Sequence, residues 1–184
     1  MRFLWRVASA ASLVLLLSPP ARAASPEDHP AVPAILARAE SLFQSMKSRD
    51  YAAIFAALSA KSRETIVAET SSALAAAARQ ATPGMPTAAD APPALAKNPA
   101  PGPEAVRRDF VAGGPIARDY WDAFLRRFDP DAALEHSRWE IGSVGKDRAE
   151  ILLTHHGADH PATLKMFLED GVWKTGLVET FWSR

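Results

Sequence analysis

The residues best equipped for chemistry fall into small groups. His155, His156 and His160, with Asp159, are the densest set of metal-capable side chains in the chain. Imidazole nitrogens and a carboxylate suit zinc or copper. The group spans an expected hairpin end, where water reaches it, and neighbours on a strand point to opposite faces; a solvated turn is the competing reading. Asp119, Tyr120 and His136 are the candidates for acid–base work. A histidine or carboxylate in a dry cavity shifts its pKa and can pass a proton. The alternative is a core tyrosine, with Asp119 and His136 facing water. Tyr120, Phe124, Trp139, Met166 and Trp173 are candidates to line a pocket for an apolar ligand, because flat rings and a flexible thioether adapt to such a guest. Otherwise they are core packing. No phosphate loop, nucleophile elbow, dinucleotide fingerprint or HExxH occurs, which argues against nucleotide-dependent and metalloprotease chemistry. No cofactor is expected.

The elements that must position these residues divide into a helical front and an extended tail. From 34 to 47, Ile35, Leu36, Ala39, Leu42, Phe43 and Met46 recur at helical spacing. Arg49-Asp50 ends that helix, and Asp50 is placed to cap a second one carrying Tyr51, Ile54, Phe55 and Leu58. Ser59 is the next cap, opening a helix that runs to Arg79 and becomes alanine-rich, with high helix propensity but little side-chain area to bury. The segment 81–103 holds seven prolines, at 83, 86, 92, 93, 99, 101 and 103, which exclude helix and central strand. It reads as a surface excursion, or else as an ordered lid over a pocket. A short helix over 104–112 stops at Gly113-Gly114. Pro115 then suits the first position of another helix, whose stripe is Ile116, Tyr120, Phe124, Leu125 and Phe128.

Four runs then alternate with period two: 133–144, 148–156, 162–169 and 172–182. His136 falls on the first of them. Trp139 and Ile141 share one parity of it. Leu164, Met166 and Leu168 share a face of the third. Trp173, Leu177 and Phe181 share a face of the fourth. Gly145-Lys146-Asp147, the run 157–161 and Asp170-Gly171 are the turns between them. Short links make neighbouring strands antiparallel, and one apolar face needs a helical cover. The fold class is therefore α+β, with N-terminal helices packed on an antiparallel β-meander.

Residues 1–23 read as a secretory signal peptide: basic Arg2 and Arg6, an apolar stretch 7–17, a Ser18-Pro19-Pro20 break, and small residues at Ala21-Arg22-Ala23. The apolar run is shorter than the ~20 residues that cross a bilayer. An exported protein, periplasmic or extracellular, is expected. Without the three arginines of the leader, 18 basic residues face 21 acidic ones. With no dense basic block, nucleic acid is not an expected partner. No cysteine is present, which removes disulfides, thiolate metal sites and lipidation at cysteine. Residues 24–33 are a lead-in, and 34–184 a single domain.

The stretch KSRDYAAIFAALSAKSRE resembles the helical opening of the NTF2-like superfamily, of SnoaL-like cone shape, and MFLEDGVWKTGLVETFW resembles its closing hairpin. Together the likeness spans most of 33–182. It implies a cone, in which a strongly bent sheet wraps helices around a cavity, and dimers that form through the exposed face of the sheet. Members include isomerases and dehydratases as well as binding modules, so fold does not choose the activity. No catalytic residue carries over. Three readings stay open: a non-catalytic domain binding a small apolar ligand or an envelope protein, an acid–base lyase or isomerase with its site in the cone, and an interaction module with a filled core.

Overall fold

A computed structural model describes residues 25–80 and 100–181. The expected signal peptide, most of the proline-rich segment and Trp182 lie outside these residues. The described chain is α+β: seven α-helices, and one four-stranded antiparallel sheet in the order β1-β2-β3-β4.

The helical front follows local rules. A single 3-10 turn at Pro26–Asp28 precedes α1 (Val32–Ser48), which begins two residues earlier than the periodicity indicates because Pro33 fits its first turn. Arg49 ends it in the left-handed region at φ 56°, and the Asp50 carboxylate accepts from the Ala53 amide to open α2 (Tyr51–Ala57). Ser59 opens α3 (Ala60–Gln80), its hydroxyl accepting from the Ser62 amide at 3.1 Å. α4 (Pro103–Ala112) stops at Gly113, where φ is +64°. α5 (Pro115–Leu125) has a glycine at its N-cap and no side chain of its own to cap it. The Asp109 carboxylate reaches over from α4 and accepts from the Ala117 amide at 2.8 Å instead. A Cβ on Gly114 would lie 2.3 Å from that carboxylate, which is why the position has none.

Three sequence expectations need correction. The first strand does not begin at residue 133. Pro130–Glu135 is helix α6, capped by Asp129, whose carboxylate accepts from the Asp131 amide. β1 spans Ser137–Val144, and His136 lies between the two elements rather than on a strand. The fourth run is not one strand either. β4 (Val172–Gly176) gives way to helix α7 (Leu177–Phe181). The Phe167 ring covers Gly176, where a Cβ would sit 2.3 Å from it. Just beyond, the Thr180 hydroxyl accepts from the Lys165 amide in β3. Leu177 is buried while Phe181 is half exposed, so the two do not share a strand face with Trp173. Finally, the buried line of α5 is Ala117 and Trp121; Ile116, Tyr120, Phe124 and Leu125 flank it half-buried, and Phe128 lies beyond the helix.

β2 (Arg148–His155) and β3 (Ala162–Glu169) fall where alternation puts them. Register pairs Trp139 with Leu153, Ile141 with Ile151, Ile151 with Leu164, and Met166 with both Ala149 and Thr175. These residues make the covered face, against which Ile35, Leu42, Phe43 and Met46 of α1 complete one core. Leu168, on the same parity but opposite Trp173 at the hairpin end, is partly exposed there. The β3–β4 turn uses Asp170 (φ 50°) and Gly171 (φ 76°), the two positive values that a tight hairpin of this hand requires. On the far side of β4, Leu58 forms a parallel bridge to Thr175 and the Ser59 amide donates to the Thr175 carbonyl. The α2–α3 junction therefore closes that edge of the sheet.

Candidate functional site: an aromatic groove

The aromatic residues do not scatter through the core. Nine of them form a chain of rings from one side of the helical layer to the other. Phe55 of α2 meets Phe110 of α4 at 5.1 Å between centroids, and Phe110 meets Tyr120 at 5.4 Å. Along α5 the contacts run from Tyr120 to Trp121 and on to Phe124, both edge-to-face. Phe124 passes the chain to Phe128 at 5.4 Å, and Phe128 stacks on Phe43 of α1, which meets Trp139 of β1 edge-on. Phe181 of α7 closes on Phe128 at 6.4 Å. Helical spacing explains one link in the middle of the chain, since Trp121 and Phe124 are three apart on one helix. At its other end Phe128, just beyond α5, brings together the rings of α1 and α7.

At Phe128 and Phe181 the chain reaches the surface. A recess of about 600 Å³ opens beside Tyr120, Phe124, Phe128 and Phe181, with Arg126 and Arg127 on its wall. A second, of about 280 Å³, shares Arg127, Phe128 and Phe181 with it and continues past Phe43, Leu153 and Leu164. The two make a mainly apolar groove over the link between α5 and α6. Neither Arg126 nor Arg127 has an ion-pair partner among the described residues.

The sequence-predicted pocket residues divide. Tyr120 and Phe124 line the groove together, and Trp139 connects to it through Phe43 while its indole nitrogen donates to the Ala133 carbonyl at 2.8 Å. Met166 and Trp173 lie in the covered face of the sheet, buried. The five do not surround one cavity. Of the acid–base candidates, Asp119 is exposed and shares a separate recess with Tyr120, Leu74 and Ile116 between α3 and α5. His136 is exposed at the end of α6, where its carbonyl accepts from the His156 amide. It lines a third recess with His155 and His156. His155, His156, Asp159 and His160 are all exposed, and among the described residues no three histidine or acidic side chains are arranged to hold a metal ion.

No family model matches this chain, and no curated protein or solved structure matches it significantly.

The residues that sequence reasoning passed over are Arg126, Arg127, Phe128 and Phe181 as members of one site. The local signal was two arginines and a phenylalanine directly after an aromatic helix. Burial, with the negative charge of Glu69 adding to it, pushes the Tyr120 hydroxyl up to about 12. At neutral pH this phenol is protonated, a donor and a wall, and poorly matched to take a proton. The unfolded chain ionises Tyr120 near the ordinary tyrosine value of ~10, so the stability that comes from keeping it neutral is whole below pH 10 and is lost as pH rises towards 12. Alkaline unfolding should therefore steepen in that window, and Tyr120→Phe should remove the steepening. An identical alkaline profile in the variant would contradict this.

Proposed function

We propose that the protein is an exported, non-catalytic binding domain that takes a small apolar ligand in the groove at Phe128 and Phe181. One observation carries the reading: the ring chain ends at the surface, with Phe181 49% exposed over an apolar recess. Aromatic rings left open to water over a recess of several hundred Å³ are the ordinary features of a ligand site. The neutral, high-pKa Tyr120 and the separation of Asp119 from His136 favour binding over proton transfer. The helix-covered antiparallel sheet supports an NTF2-like cone as the family type, with the ligand on its helical side rather than within it. The leader-like sequence of residues 1–23 supports an envelope or extracellular location. The open face of the sheet alternates Glu140, Glu150 and Lys165 with half-buried Leu152, Thr163 and Phe167, which suits the sheet-to-sheet dimer of that type.

Decanol binding followed by calorimetry tests the site. Phe181→Ala should weaken it about tenfold, the loss from one ring's worth of contact area. Thermal stability should change little, because the ring is half exposed. Absence of binding, or undiminished binding by the variant, would overturn the proposal.

A further inference from the structure

We infer that the ligand of this groove is a single-chain amphiphile with a carboxylate head group, held by Arg126 and Arg127; the inference rests on the groove being the binding site. Both arginines are exposed; Arg126 lines the larger recess, and Arg127 lines both where they meet. Two guanidinium groups without ion-pair partners among the described residues, beside rings that favour hydrocarbon, present a cationic rim to an apolar floor. A planar guanidinium matches a carboxylate with two parallel hydrogen bonds, which a neutral head group cannot offer.

The rim also indicates how much charge it accepts. Asp129 lines the smaller recess, and its carboxylate is already engaged in capping α6 through the Asp131 amide at 2.9 Å. Two arginines against that one carboxylate leave a single net positive charge, which matches a monoanion better than a dianion. The alkyl chain then runs from the arginines across Phe128 and Phe181 towards Leu153 and Leu164.

Decanoate and decanol share a chain and differ in the head group, so their ratio isolates the rim. At low ionic strength and neutral pH, the full chain should bind decanoate roughly fivefold or more tighter than decanol, as expected for a charge-assisted pair that is partly exposed. Added salt should erode that ratio, because the pair is open to counterions. The double variant Arg126→Ala, Arg127→Ala should bring the ratio to one or below. Neither arginine is buried or ion-paired among the described residues, so the variant should fold, which far-UV circular dichroism checks. Decanol binding as tightly as decanoate, or a ratio unchanged in the double variant, would overturn the carboxylate assignment and leave the apolar groove standing. Binding of neither molecule would overturn the groove itself, and the inference with it.

Discussion

Replacing Trp121 with alanine should cost about 3–5 kcal/mol, the range for deleting a fully buried large aromatic. Trp121 has no exposed surface, lies between Tyr120 at 5.0 Å and Phe124 at 5.8 Å, and joins the inner half of the ring chain to the half that reaches the groove. Ala117, one turn earlier, is equally buried, so no side chain on that face of α5 can swing in to fill the space. In a domain of this size such a loss lowers the melting temperature by roughly 10 °C. Trp121→Phe should behave differently. The indole nitrogen of Trp121 has no hydrogen-bond partner among the described residues, and a buried, unmade donor costs ~1–3 kcal/mol. Phenylalanine removes that donor while leaving a small void, so the two effects offset and the net change should stay within about 1 kcal/mol. Denaturant unfolding of both variants checks this. A phenylalanine variant as unstable as the alanine one would mean that the indole nitrogen is satisfied in solution.

Glu179→Ala should destabilise the fold by about 3 kcal/mol, because two charge-assisted bonds disappear and two buried hydroxyls lose their acceptor. The Glu179 carboxylate on α7 is buried between Ser59 and Ser62. It accepts from the Ser59 hydroxyl at 2.9 Å and from the Ser62 hydroxyl at 2.6 Å, and the Ser62 hydroxyl in turn accepts from the Val178 amide at 3.0 Å. Close by, the Glu169 carboxylate accepts from the Ala60 amide through both oxygens, at 2.8 and 3.0 Å. Two carboxylates from the last strands and the last helix therefore meet the amino end of α3, where the helix dipole favours negative charge. This clamp holds α7, and with it Phe181, in place over Phe128. A double-mutant cycle with Ser62→Ala should show a coupling of at least ~1 kcal/mol, since the two groups share a network. Additive losses would mean that the carboxylate and the serine act apart.

Much of the fold was legible because its signals are local. The Asp50 and Ser59 caps, the Gly113 stop, the Pro115 start and the Asp170-Gly171 turn each need only a few neighbouring residues, and β2 and β3 carry clear alternation. The misses have physical reasons. α6 and α7 are too short to show a helical period, so Ala133 and Leu134 passed for the start of a strand and Leu177 for the continuation of one. Asp129-Pro130 did carry a helix-start signature, a capping carboxylate before a proline at the first helical position. α7 had no such mark: its cause is the distant meeting of Glu179 with Ser59 and Ser62. The buried line of α5 differs from the stripe because the spacing of Ile116, Tyr120 and Phe124 indicates one face, while packing turned the helix by one residue to bury Ala117 and Trp121. Tyr120 and Phe124 could be nominated from that stripe. Arg126, Arg127 and Phe181 could not be joined to them, because that neighbourhood exists only once the end of the chain has folded back onto α5.

Amide chemical shifts of isotope-labelled protein during a decanol titration test the central claim most directly. The groove account predicts saturable shifts gathered at Tyr120, Ala123, Phe124, Arg127, Phe128 and Phe181, with Arg148, Glu150 and Lys165 on the open face of the sheet unmoved. Shifts centred on those three residues, on the histidine-bearing turn, or spread evenly over the chain would contradict it.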